Sequence, residues 1–195
     1  VEYKHIPVRN KIWRVNHHLA HSLSCWPLYK QRPEYEIVID GFGDANNAWT
    51  VIKKDKIFKR GYTNINGSLG LSMSQTAKWL NIKDDYGSSG KLMGLQSYGR
   101  IIEKFKNTLN FDTYSINKLF NKNNQIAQTQ PLDWIRTVHD KVSDILVNFF
   151  EDITNKNYNA NISYSGGVAQ NVIWNTALKN KFKLIEINEE EVSKL

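Results

Sequence analysis

Apolar positions along the chain follow two rhythms, a period near two suited to strands and a period near 3.6 suited to helices. Asn16 to Leu28 (NHHLAHSLSCWPL) carries the helical rhythm, with Asn16 placed as an N-cap and Pro27 as a stop. Tyr35-Glu36-Ile37-Val38-Ile39-Asp40 is β-rich and closes on Gly41 and Gly43, which predicts a strand running into a glycine turn. Ala48 to Ile52 and Lys56 to Tyr62 flank the polar tip Lys53-Lys54-Asp55, so they predict a hairpin extending the same sheet. Leu69 to Leu80 predicts an amphipathic helix, with Leu71, Ala77 and Leu80 among its core positions. It leads into a glycine-rich loop, Gly87-Ser88-Ser89-Gly90.

Ile101 to Leu109 predicts another helix, and the polar, Asn-rich stretch Asn117 to Gln130 is the candidate linker. In Trp134 to Ile153 the residues Ile135, Val138, Val142, Ile145, Leu146 and Phe149 recur at helical spacing, which predicts a long helix packed on a sheet. Asn161 to Ser165 then predicts a strand, Gln170 to Asn180 a helix and Phe182 to Ile187 a strand. The pattern is α/β, with a first unit expected over residues 1–125 and a second over 126–195.

Composition narrows this picture. A chain of 195 residues with 41% hydrophobic content can bury one ordinary core, or two small subdomains sharing a cleft. It holds no apolar run long enough to span a bilayer, and Val1-Glu2-Tyr3-Lys4-His5 lacks the layout of a signal peptide. The expectation is a soluble, cytoplasmic protein with no membrane partner. The single cysteine, Cys25, excludes an internal disulfide and a zinc knuckle, so any metal must rely on His, Asp or Glu. A net charge of +7 suits an anionic ligand, although scattered lysines such as Lys53, Lys54, Lys56 and Lys59 equally fit a solvated face. The chain opens at Val1 rather than at a methionine, and is read as a fragment.

Four segments carry candidate chemistry. A helix puts His17 and His21 on one face, one turn apart, where two imidazoles can hold one metal ion. Asp40, at a strand end, offers a carboxylate if the strand docks beside that helix. Two histidines and one carboxylate suit Fe(II), and less distinctively Zn(II) or Mn(II); surface or core histidines fit the same pattern. Asp40-Gly41-Phe42-Gly43-Asp44 reads alternatively as a plain turn. In Ser163-Tyr164-Ser165-Gly166-Gly167-Val168-Ala169-Gln170-Asn171, glycines between strand and helix leave backbone N–H groups free to cradle a phosphate or ribose, or simply make a tight turn. Asn171 is expected one turn inside the helix, its amide toward the cleft. Lys91, in Gly90-Lys91-Leu92-Met93-Gly94-Leu95-Gln96-Ser97-Tyr98-Gly99, can reach a phosphate as a point charge or remain solvated.

Taken in order, HHLAH, DGFGD, SLGLSMSQTAKWL, GKLMGLQSYG and SGGVAQN resemble the carbamoyltransferases of nodulation-factor and antibiotic biosynthesis. They resemble more distantly the hydrogenase-maturation carbamoyltransferase and the tRNA threonylcarbamoyl transferase. The resemblance runs from about Asn16 to about Lys183. It implies an α/β, actin-like ATPase (ribonuclease-H-like) fold, incomplete, whose mixed sheet is flanked by helices and whose cleft holds a metal. That class begins with three strands and then a helix, as this chain does.

By motif, His17, His21 and Asp40 would be metal ligands, with Fe2+ first and Zn2+ or Mn2+ as alternatives. His18 and Asp44 would be catalytic groups beside them, and Lys91, Ser165, Gly166, Gly167, Val168 and Asn171 would bind ATP or carbamoyladenylate. The implied reaction makes carbamoyladenylate from carbamoyl phosphate and ATP, then passes the carbamoyl group to an acceptor hydroxyl of a small molecule. RNA modification and a non-catalytic remnant are the alternatives. Nucleic acid is not the expected partner, because GKLMGLQSYG belongs to the small-molecule enzymes. The family also carries an HDSS-like motif before the histidines, a GD-type motif whose aspartate completes the metal site, and a separate adenylate-forming domain. None is found within the sequence, so activity is expected to need another polypeptide or the rest of the gene.

Overall fold

Strand β1 (Tyr35–Ile39) is buried along its whole length, which requires cover on both faces and a partner on both edges. One edge takes β2 (Asn47–Lys53), antiparallel, and β2 takes β3 (Lys56–Tyr62), also antiparallel. Lys54 and Asp55 both adopt left-handed backbone at the hairpin tip, matching the right-handed twist of the flanking strands. The other edge takes β4 (Ile162–Ser165), parallel, giving the order β3-β2-β1-β4. The computed structural model describes residues 15–29, 31–62, 68–82, 87–109 and 124–184.

The helices are α1 (His17–Ser24), α2 (Leu69–Trp79), α3 (Ser88–Leu95), α4 (Glu103–Thr108), α5 (Gln125–Thr129), α6 (Pro131–Thr154) and α7 (Val172–Lys179). Helix α6 gives the core more residues than any other described element: all six apolar positions expected from its periodicity are buried, together with Trp134, Phe150 and Ile153. Phe149 meets Trp49 of β2 edge to face, with ring centroids 4.9 Å apart. Each such side chain contributes about 1.5–3 kcal/mol by leaving water, so α6 and the sheet carry the bulk of the stability.

Several expectations shift. The buried stripe of α2 runs through Leu69, Met73 and Ala77, while Leu71 and Leu80 are only half-buried. The supposed Gly87–Gly90 loop is the start of α3. Its Gly90 and Gly94 lie on an open face, and burial of Leu92 outweighs their poor helix propensity. Within the Asn-rich stretch, Asn124 caps α5, and residues 117–123 lie outside the described part. Asn171 is the N-cap of α7 rather than an interior residue, its Oδ1 accepting from Ile173 N and Trp174 N at 3.1 and 3.3 Å. The strand expected over Phe182 to Ile187 is described only to Leu184, which bridges Ile162; the remainder lies outside the described residues.

Strand β4, expected in a second unit beginning at residue 126, hydrogen-bonds to β1 and shares its sheet. Helix α6 and the β1–β2 pair contribute to the same hydrophobic core. The physical reason is the parallel pairing, which needs a long crossover between strands and is served here by α6. Among the described residues, no helix is long and apolar enough to cross a membrane.

His139, inside α6, is fully buried and stacks on Trp174 of α7, with ring centroids 5.4 Å apart. Burial lowers its pKa from 6.5 to about 4, against a raising contribution from the Ile135 carbonyl that its Nδ1–H donates to. Below pH 6.5 the unfolded chain takes up a proton that the folded chain refuses until about pH 4, so stability falls as pH drops through that window. The full contribution is about 3 kcal/mol. His139→Asn should flatten the dependence of Tm on pH over this range, and an unchanged slope would show that His139 does not contribute.

Candidate metal centre

Parallel neighbours leave a sheet at the same end, so the turns that follow β1 and β4 lie side by side although 127 residues of chain separate Asp40 from Gly167. Asp40 Oδ1 accepts from Gly41 N at 2.6 Å and from Gly167 N at 3.1 Å. Its other oxygen, Oδ2, faces α1 and lies 2.7 Å from His17 Nε2 and 2.8 Å from His21 Nε2. Burial works to raise the Asp40 pKa, but the His17 contact, the two backbone N–H groups and the His21 ring together hold it below the usual carboxylate range. The carboxylate is therefore ionised at neutral pH.

The donor atoms of His17, His21 and Asp40 all lie within 4.8 Å of one another. Ligand atoms bound at about 2.0–2.2 Å around one divalent ion are roughly 3 Å apart, so the cluster fits an ion after small side-chain adjustments. His17 and His21 side chains are 44% and 35% exposed, which leaves the cluster open toward solvent.

The other expected site residues divide into those gathered here and those not. Asp44 comes close, but its Oδ2 accepts from His17 N at 2.7 Å, capping the first turn of α1 beside Asn16. His18, adjacent in sequence, turns the other way, into the protein: its Nδ1 lies 2.9 Å from Thr50 Oγ1, and burial lowers its pKa to about 4. Both groups expected to be catalytic thus have structural engagements, because capping satisfies an otherwise unpaired helix N–H and the buried ring requires polar partners.

Gly166 adopts φ +95°, and a side chain there would overlap the Ile39 carbonyl. It turns Gly167 N–H onto Asp40, so this N–H serves the carboxylate rather than standing free for a phosphate. Ser165 ends β4, Val168 is buried in the following 3-10 turn, and Lys91 is exposed on α3.

Sequence reading missed Gly70, Glu36, Asn47 and Thr50. An added Cβ at Gly70 would come within 2.8 Å of Gly41 Cα, so only glycine lets α2 begin against the Asp40 turn. A glycine in the first turn of an amphipathic helix was the available signal. Glu36, an acid within an otherwise apolar strand, was another.

The comparisons with known proteins bear on the fold and the family. Two solved structures show the fold alone: the activator of 2-hydroxyisocaproyl-CoA dehydratase from Clostridium difficile with bound ADPNP, and component A of (R)-2-hydroxyglutaryl-CoA dehydratase from Acidaminococcus fermentans. The first has 16% identity and a TM-score of 0.53, covering 85% of this chain and 57% of that one. The second has 18% identity and a TM-score of 0.50, covering 85% and 59%. The architecture is thus the α/β, actin-like fold. The carbamoyltransferase N-terminus family matches residues 3–188, and the chain belongs to that family. An uncharacterized protein of Methanocaldococcus jannaschii is 25% identical over 195 aligned positions, 91% of this chain and 38% of that protein. The chain therefore spans less than two thirds of the length of these relatives.

A Cβ at Gly43 would stand 2.7 Å from His18 Nε2 and 2.9 Å from the Asn47 carbonyl oxygen, whereas one at Gly90 meets nothing within 4 Å. Gly43→Ala is expected to destabilise by about 1–3 kcal/mol. Gly90→Ala, inside a helix with an open face, should stabilise by about 0.5–1 kcal/mol. Denaturant melts of the two variants give the comparison, and equal effects would contradict the packing described around Gly43.

Proposed function

We propose that this domain holds a divalent metal ion between His17, His21 and Asp40. With a carbamoyladenylate-forming domain or partner chain, it passes a carbamoyl group from carbamoyladenylate, made from carbamoyl phosphate and ATP, to a hydroxyl of a small acceptor. The observation that carries this reading is the convergence of the three donor atoms within 4.8 Å, in a chain of the carbamoyltransferase family. Two imidazoles and a carboxylate leave coordination positions open, which suits Fe2+, and Zn2+ or Mn2+ less distinctively. When bound, such an ion polarises the carbamoyl carbonyl and stabilises charge developing on its oxygen.

The chain's own residues orient that chemistry. Asp40 presents Oδ2 to the ion while two backbone N–H groups hold its Oδ1, and the exposed edges of His17 and His21 leave a path for the carbamoyl group. The adenylate is placed beside them, on Ser165, Gly166, Gly167, Val168 and Asn171. Asn171 Nδ2, buried and without a hydrogen-bond partner among the described residues, is a donor available there. Lys91, exposed, is the cation assigned to its phosphate. The ADPNP bound by the dehydratase activator supports a nucleotide in this fold.

Protein purified without chelators should contain about one equivalent of iron or zinc by elemental analysis. His17→Ala, His21→Ala and Asp40→Asn should each lose most of it while keeping the far-ultraviolet circular dichroism of the parent. Wild-type protein free of metal would defeat this reading. Supplied with carbamoyl phosphate, ATP and an adenylate-forming domain, carbamoyl transfer should fall with the same three substitutions, and an undiminished rate would separate the cluster from the reaction.

A further inference from the structure

Helices on sheets normally dock through an apolar stripe, but the only side chains of α1 that are buried are His18 and Ser22, both polar. Leu19 is exposed, and Leu23 is half-buried. Each buried group meets a polar partner rising from the sheet. Ser22 Oγ donates to Glu36 Oε2 of β1. His18 Nδ1 lies 2.9 Å from Thr50 Oγ1 of β2 and 3.0 Å from the amide of Asn47. With its oxygen toward His18 and Thr50, that amide donates its N–H groups to the Gly61 and Trp49 carbonyls at 2.9 and 2.8 Å.

Glu36 is 2% exposed and also accepts from Trp26 Nε1 at 3.0 Å and Arg32 Nη2 at 3.4 Å. Arg32 stacks over the Trp26 ring at 4.2 Å and pairs with Asp55. A buried carboxylate is a costly way to hold a helix, since an apolar pair of the same shape would do so without desolvating a charge. What hydrogen bonds supply, and apolar contact does not, is direction: they weaken steeply as the angle departs from linear.

On α1 the stripe His18/Ser22 lies one residue, about 100°, from the stripe His17/His21. Fixing the rotation of one stripe fixes the other. A turn of about 20° about the helix axis would move a side-chain end by roughly 2 Å, enough to separate either imidazole from Asp40. Strand β1 alternates its side chains, so Glu36 and Asp40 project from the same face and grip α1 at successive points along its length.

We infer that Thr50 and Glu36 are positioning residues for the metal cluster. Acting through His18 and Ser22, they set the rotation of α1 and thereby the placement of His17 Nε2 and His21 Nε2 around Asp40 Oδ2. The inference rests on the metal reading above. It predicts that the hydroxyls of Thr50 and Ser22, which touch no ligand, control metal affinity and geometry.

Cobalt(II) titration of the whole chain, followed by its visible d–d absorption, tests this. Thr50→Val and Ser22→Ala should bind cobalt about tenfold more weakly than wild type, with altered band positions, at temperatures where both are folded. Thr50→Ser, which keeps the hydroxyl, should restore affinity and spectrum. The two substitutions act at different points on α1, so either one that folds is sufficient. Wild-type affinity and spectrum in a folded Thr50→Val or Ser22→Ala protein would overturn the inference, because a role confined to stability would lower Tm alone. Should wild type itself bind no cobalt, the metal reading fails and the positioning claim is read without metal. The nuclear Overhauser contact between the His17 and His21 rings, whose centroids are 4.8 Å apart, should weaken in the same variants. Its persistence at full intensity would overturn the claim.

Discussion

Asp40 ties together pieces of chain that lie far apart in sequence. One oxygen collects the backbone of its own turn and of the loop after β4, and the other collects two imidazoles from α1. A carboxylate can do this because it offers several lone pairs in a plane and no donor of its own. The demand it makes on the rest of the protein is spatial: a helix and the turns after two strands must approach within hydrogen-bonding distance of one side chain, while the start of α2 packs against the first of those turns. The glycines scattered through the sequence answer that demand. Gly70 admits α2 against the turn, Gly43 admits the His18 ring, and Gly166 bends the loop so that Gly167 reaches Asp40.

Stability and geometry are supplied by different helices. Helix α6 buries an apolar face against the sheet, an attraction that is large, nondirectional and tolerant of small slips. Helix α1 buries only polar groups, contributes little apolar area, and is held by bonds that fix its orientation. A cluster that must present several ligand atoms to one point needs the second kind of support. Because α1 rides on the outside of the sheet, His17 and His21 can be well placed and still reachable from solvent.

The cluster lies at the carboxyl ends of the adjacent parallel strands β1 and β4. Open α/β sheets commonly bind ligands there, because helix starts and flexible turns converge while strand backbones stay occupied with each other. The loop of Ser165 to Asn171 is part of the same convergence, with Asn171 capping α7 and Gly167 reaching back to Asp40.

Local pattern alone determined the elements whose residues speak for themselves: the Asn16 cap and α1, the β1–β2–β3 meander, the long periodic α6, the short β4 and the pairing of His17 with His21 one turn apart. Propensity and periodicity are properties of neighbours in sequence, so these were legible. Tertiary structure decided what depends on residues far apart. It joined β4 to β1 in one sheet and made the Gly87–Gly90 segment helical by burying Leu92. It shifted the buried stripe of α2, and committed Asp44, His18 and Gly167 to partners that no spacing rule identifies. Sequence could nominate Asp40 as a neighbour of the histidines, but only the parallel exit of two strands explains why a glycine 127 residues away completes its surroundings.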